Sequence, residues 1–289
     1  MWTWPSAPGI RRGRRAAAIS LASLLAVAGC ATTGPTPSPI EPTDGSPTAS
    51  GAPFLTQPVT PAPSATGATA LARNPAPFVE GPAYGPTIDP ADFVEAIDNP
   101  FFPMVAGARF VFDGAEHIEV DVLPETKVIL GVTVTVVRDR VFEDGDLIED
   151  TLDWYAQDVD GNVWYFGEET AEYENGEVVS TAGSWEAGVD GAQPGIIMLA
   201  DPRVGDVYRQ EFYGGEAEDI GEITALEGEV SVEAGSWSGS DVLVTEEWTP
   251  LEPDVRERKT YVRGQGVVEI LTIEGGDERT TLIRATFPR

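Results

Sequence analysis

The sequence predicts an all-β fold: an antiparallel curved sheet, closing as a half-barrel or packing as a sandwich, with two similar halves and one short N-terminal helix. Three observations predict it. Apolar and polar residues alternate with period two through most of the chain after residue 108, the pattern of strands with one buried face. Short Gly-, Asn- and Asp-containing breaks separate these runs. No segment carries a 3.6-residue apolar period over the length of a helix.

The one helix is predicted over 90–97. Asp89 can cap it, Pro90 takes the favoured first position, and Asn99-Pro100 ends it. Residues 132–141 read Val-Thr-Val-Thr-Val-Val-Arg-Asp-Arg-Val, a β-branched run suited to a pleated surface. Glu143-Asp144-Gly145-Asp146 then turns the chain, and 147–156 returns antiparallel. Asp158-Val159-Asp160-Gly161-Asn162 turns it again into 163–166, and Glu174-Asn175-Gly176 is a third turn. Later strands are predicted over 242–249, 257–262, 267–273 and 280–287, broken by Gly264-Gln265-Gly266 and Gly275-Gly276-Asp277. A pair of repeats, about 100–170 and 200–275, is expected from two local likenesses. Residues 103–110 match 202–208, and Tyr155 with Gly161-Asn162-Val163 matches Tyr261 with Gly264-Gln265-Gly266-Val267.

Charge divides the chain more sharply than composition does. The 289 residues hold 18 Lys+Arg and 48 Asp+Glu, a formal net charge of −30. The first 30 residues contain Arg11, Arg12, Arg14 and Arg15 and no acid. Glu41, Asp44 and Arg73 fall in 31–75, so the 214 residues that follow contain 46 acids and 13 bases. A nucleic-acid partner is excluded, because phosphate contacts need a basic face. Docking on anionic lipid is disfavoured for the same reason. With one cysteine and one histidine, the chain has neither a disulfide framework nor a Cys-built zinc site.

Domain organisation follows from these shifts. Residues 1–29 read as an export signal: a cationic start, then a 12-residue uncharged stretch over 16–27, too short to span a bilayer as a permanent helix. Leu25-Ala26-Val27-Ala28-Gly29-Cys30 resembles the lipobox of bacterial lipoproteins. That resemblance implies cleavage before Cys30 and acyl chains on its sulfur, which would hold the protein on the extracytoplasmic face of the cell membrane. The Arg pairs leave Sec and twin-arginine export both open. Residues 30–75 are the lipidated cysteine and a tether. Of residues 31–75, 35 are Pro, Thr, Ser, Gly or Ala, a composition that predicts a disordered, partly polyproline spacer. Residues 76–289 form the acidic β domain.

The domain also resembles uncharacterised secreted β-sheet lipoproteins of high-GC Gram-positive bacteria. The residues that carry this likeness are Asp98-Asn99-Pro100-Phe101-Phe102-Pro103, Trp185 to Gly191, Val230 to Trp237 and Tyr261-Val262-Arg263-Gly264-Gln265-Gly266-Val267. Its sheet pattern is similar to the half-barrel of lipid and lipoprotein carriers, which implies by fold analogy alone that it carries lipid.

Candidate chemistry is sparse. Glu168-Glu169, Glu246-Glu247 and Glu216 with Glu218-Asp219 are acid pairs of the type used in glycoside hydrolysis, but so many acids produce such pairs by chance. Asp158-Val159-Asp160-Gly161-Asn162 hints at weak calcium binding, yet lacks the spacing of an EF-hand and reads more simply as a turn. No cofactor is otherwise implied. His117 sits in an alternating run as a surface or hydrogen-bonded residue, and no Gly-x-Ser-x-Gly elbow is present. Trp154, Trp164 and Tyr261 are candidates to meet a sugar or lipid ligand, but core packing and exposed cross-strand aromatic pairs account for them more simply. The function expected is a membrane-anchored, non-enzymatic β domain that binds an envelope ligand or protein. A glycan hydrolase using paired carboxylates and a calcium-tuned adhesive module are the alternatives.

Overall fold

The computed structural model describes residues 84–288. The leader, Cys30 and the tether lie outside the described residues. Eighteen strands follow in order. The first nine are β1 (Phe93–Val94), β2 (Arg109–Gly114), β3 (His117–Ile129), β4 (Val132–Glu143), β5 (Asp146–Asp158), β6 (Val163–Glu174), β7 (Glu177–Ser180), β8 (Trp185–Glu186) and β9 (Gln193–Met198). The rest are β10 (Val207–Arg209), β11 (Glu211–Phe212), β12 (Ile220–Ala225), β13 (Gly228–Val232), β14 (Gly235–Gly239), β15 (Val242–Trp248), β16 (Arg256–Val262), β17 (Gly266–Glu274) and β18 (Arg279–Thr286). The all-β, antiparallel reading therefore holds, and the long strand runs fall where the alternation placed them.

The hairpin turns form for the reason anticipated. Asp144-Gly145 and Asn175-Gly176 have positive φ at both central residues, the twist that matches paired strands. The short helix is corrected. Asp89 does cap, its carboxylate accepting from the Ala91 N–H, but only a single 3-10 turn forms over Pro90–Asp92. Phe93 and Val94 then pair with Asp158 and Gln157 of β5, and the Phe93 ring packs on Trp164 and Phe166. An eight-residue helix is marginal alone, and sheet pairing with aromatic burial outcompetes it.

Sixteen strands make one sheet, ordered β10-β12-β15-β16-β17-β18-β2-β3-β4-β5-β6-β9-β11, with β1, β7 and β8 attached to β5 or β6. The two terminal strands of this path, β10 and β11, are separated in the chain by Gln210 alone. One short segment thus pairs with β12 along one edge and with β9 along the other. The curvature goes beyond a half-barrel to a nearly closed barrel, which leaves few edge groups unpaired. The joint is tight. The Gln210 N–H donates to the Asp219 carbonyl at 2.8 Å, and a Cβ on Gly195 would lie 2.2 Å from the Gln210 carbonyl carbon, so only glycine lets β9 approach.

Register assigns the faces, because directly paired residues share one. Phe110↔Val120, Phe112↔Ile118 and Ile118↔Val141 run across β2, β3 and β4 and define the lumen. Val137↔Asp153 and Thr151↔Thr170 extend it to β5 and β6, and Thr245↔Lys259 with Ile270↔Thr280 continue it through β15 to β18. Large side chains fill it, among them Phe102, Phe112, Tyr155, Tyr165 and Tyr261, each almost fully buried. Phe102 comes from the Asn99-Pro100-Phe101-Phe102 stretch rather than from a strand. Asn99 Nδ2 donates to the Gly161 and Leu199 carbonyls, and its Oδ1 accepts from the Phe101 N–H. This fixes the stretch as a plug whose Phe102 ring meets Tyr155 edge-on at 5.2 Å.

Candidate functional site

The lumen is unusually polar for a packed core. Asp153 and Glu168 face each other across β5 and β6. The Tyr165 hydroxyl donates to Asp153 Oδ1 at 2.8 Å, and the Tyr165 ring stacks on Tyr155 at 4.9 Å. Trp185 closes over Tyr165 and donates from its indole N–H to Glu211 Oε2 at 3.0 Å. Farther around the ring, Glu247 binds Lys259 at 2.7 Å and accepts from Thr245 at 2.7 Å and from the Tyr261 hydroxyl at 3.2 Å. A pocket of about 10 Å³, the size of one water, lies here against Asp219, Glu247, Trp248, Glu257 and Lys259.

Burial shapes the protonation of this belt. It raises Asp153 to about 7, against the opposing hydrogen bonds of Tyr165 and Tyr155 and the charge of Lys259. It raises Glu257 to about 7, again opposed by Lys259, and partly buried Glu149 to about 8. Glu168 is pushed well above the carboxylate range by burial and then by Asp153. For Lys259, burial acts to lower the pKa, but Glu247 and Glu257 together outweigh it and the net shift is upward. The belt carries raised carboxyls in both arcs, and beside Glu247 it also holds the Lys259 ammonium.

The outer face carries a different feature. Arg138↔Leu152 and Asp150↔Ala171 pair on the side opposite Thr151 and Asp153. Here an open groove of about 650 Å³ is lined by Leu123, Leu152, Ala171 and Tyr173, with Arg138, Asp150, Glu169, Thr181 and Ser184 supplying polar groups. Arg138 Nε donates to Asp150 at 2.7 Å, the first half of a two-pronged pair with Nη2. The groove wall is built locally: the Ser184 hydroxyl accepts from the Thr170 N–H at 3.0 Å and donates to its carbonyl at 3.2 Å, taking the place of a strand partner along β6.

The structure does not gather the three expected ligand contacts. Trp154 and Trp164 lie on the outer face of β5 and β6, and both are buried. The Lys127 ammonium sits 3.3 Å above the Trp154 ring, and the Trp164 indole N–H donates to Asp158. Tyr261 is in the lumen on Glu247. None of the three lines the groove. Neighbouring acids separate as well: Glu246 points out to Arg258, while Glu247 points in to Lys259. Glu169 lines the outer groove, while Glu168 is buried opposite Asp153. Consecutive strand residues face opposite sides, so neither pair can share a substrate. Asp158 has both oxygens taken by N–H donors from Asp160, Asn162 and Trp164. That is turn chemistry, and among the described residues no group of three or more acids or histidines is placed to hold a metal ion. His117 sits half-exposed on β3 near Asp113 and Glu119. The groove was missed in the sequence because its lining residues are ordinary positions on five separate segments that only the sheet brings together.

No protein-family model matches the chain, and no curated protein matches it. Among solved structures, a Bacteroides fragilis exported protein with a YmcC-like fold aligns at 13% identity and a TM-score of 0.39, covering 65% of this chain and 99% of that one. A Parabacteroides distasonis lipoprotein aligns at 9% identity and a TM-score of 0.36, with the same coverage. Overlaps this loose carry no weight for function.

Proposed function

We propose that the protein is an extracytoplasmic lipoprotein, anchored through Cys30, whose β domain binds an envelope ligand without chemistry. The observation that carries this is the outer groove, where aliphatic side chains and Tyr173 sit beside the Arg138–Asp150 pair, Glu169 and two hydroxyl residues. Such a lining suits a ligand with apolar ring faces and hydroxyl edges, so an envelope glycan is the first candidate. What supports surface binding over lipid carriage is the lumen's own content of carboxylates and tyrosines, which a lipid chain would have to displace. The test is co-sedimentation of residues 76–289 with purified cell-wall polymer. Binding that is lost in Ala171→Trp, with the unfolding midpoint unchanged, supports the groove. Absence of binding, or binding equal in both proteins, overturns it. The anchor has a separate test: Cys30→Ser should move the full-length protein from the membrane fraction to the soluble one.

A further inference from the structure

Three hairpin turns in this domain share one backbone geometry, with positive φ at both central residues, and two of them use the residues that geometry prefers, Asp144-Gly145 and Asn175-Gly176. The third uses Leu130-Gly131, with φ of 50° at Leu130. A branched apolar residue in the left-handed region is strained, typically by about 1 kcal/mol. One side of Leu130 rests on Gly188, whose Cβ, if present, would come within 2.4 Å of Leu130 Cδ2. The rest is open, leaving the residue 46% exposed.

Leu130 has company. Pro90 touches Gly131, and the Val159 N–H donates to the Asp92 carbonyl at 2.7 Å, so the β3–β4 turn, the 3-10 turn with β1, the β5–β6 turn and the loop at Gly188 meet at one end of the barrel. Four more aliphatic side chains stand out there: Val94, Val128, Val159 and Val189, between 39% and 65% exposed. Single exposed aliphatic residues are ordinary, but a group of five on adjoining turns and the strand ends beside them is not. The same turns carry exposed Asp92, Asp160 and Asp190, which pair with no base among the described residues. Lys127, the nearby cation, is held by Glu186 at 2.7 Å and by the Trp154 ring.

We infer that this aliphatic, acid-rimmed end of the barrel is a docking surface for a cationic amphipathic segment of another protein. Charge complementarity selects that occupant. An anionic lipid surface is repelled by the rim, and a second copy would bring the same acids against themselves.

The sixteen-stranded sheet and its core lie within the described residues, so residues 76–289 serve for the test. The probes are a synthetic Lys/Leu amphipathic helix, a Glu/Leu helix of the same pattern and a Lys/Ser helix with no apolar face. Leu130→Asn/Val159→Asn removes apolar surface while giving the strained turn a residue it favours, and Val204→Asn changes an exposed valine outside the cluster. The expected result is Lys/Leu binding that weakens at least tenfold in the double variant, holds in Val204→Asn and is absent for the other two helices. Equal Lys/Leu binding by the double variant, or equal binding of Lys/Ser, overturns the surface. Dimerisation lost in the double variant, or adsorption to phosphatidylcholine/phosphatidylglycerol vesicles lost in it, overturns the occupant.

Discussion

Two hairpins on different arcs of the barrel are built alike and end up differently charged. In β5–β6, Thr151-Leu152-Asp153-Trp154 sends Asp153 into the lumen to meet the Tyr165 hydroxyl and Trp154 outward beneath Lys127. In β15–β16, Thr245-Glu246-Glu247-Trp248 sends Glu247 inward to meet the Tyr261 hydroxyl and Trp248 outward beneath Arg256, 4.4 Å from the ring. The difference is one residue. Lys259 stands 2.7 Å from Glu247, whereas no base lies in salt-bridge contact with Asp153 among the described residues. The same local pattern therefore yields an ion pair in one arc and a carboxyl that keeps its proton to about pH 7 in the other. Strand alternation decides which face an acid occupies; a lysine diagonally across the next strand gives Glu247 its ion-pair partner.

The sharpest way to break this contrast is Lys259→Met. It leaves Glu247, Glu257 and Asp219 buried without their shared cation, and should cost about 3–5 kcal/mol in urea unfolding. A loss below about 1 kcal/mol would mean that these acids are already protonated and that the two arcs are equivalent.

A pH series tests the other arc. A buried carboxyl with a raised pKa binds more protons folded than unfolded, so its contribution to stability is complete near pH 4 and is lost as pH rises to about 7. For Asp153 the slope should approach about 1.4 kcal/mol per pH unit at its steepest. Asp153→Asn, which still accepts from Tyr165, should flatten the profile over that window and raise stability at pH 9. Glu247→Gln should lower stability at pH 9, since it strips Lys259 of its closest partner. Parallel profiles for wild type and Asp153→Asn would remove Asp153 from the account.

Smaller effects sharpen the comparison. Tyr165→Phe should cost about 1–2 kcal/mol and shift the Asp153-dependent pH window upward, because the hydroxyl stabilises the carboxylate. Lys127→Ala should cost only about 0.5–1 kcal/mol, since both its salt bridge and its place over Trp154 are partly exposed. Differential scanning calorimetry resolves both from wild type.

Much of this architecture was legible in the chain. Residues 132–141 announce a strand because 132–137 are all Val or Thr, and Asp-Gly and Asn-Gly specify their turns by backbone sterics alone. Closure was not legible. Val207 to Phe212 is too short to read as a strand, and its role depends on two edges more than ten residues away in sequence on either side. The lost helix has the same origin: Asp89 and Pro90 state a local preference correctly, and β5 supplies a pairing that no local signal reports. Glu246-Glu247 could be separated from the sequence by period two, but the lysine that pairs with Glu247 sits on the next strand.

The seam between β2 and β18 has a kinetic consequence. Arg109 pairs with Thr286 and Phe112 with Leu282, so the first long strand of the domain meets the last. The ring cannot be finished until β18 is available to pair. Contacts of such long sequence separation slow folding, and until they form β2 presents an open edge on one side. Assembly is thus gated by β18, and the interval before closure is when this acidic domain is most open to proteases and to pairing with the wrong strand.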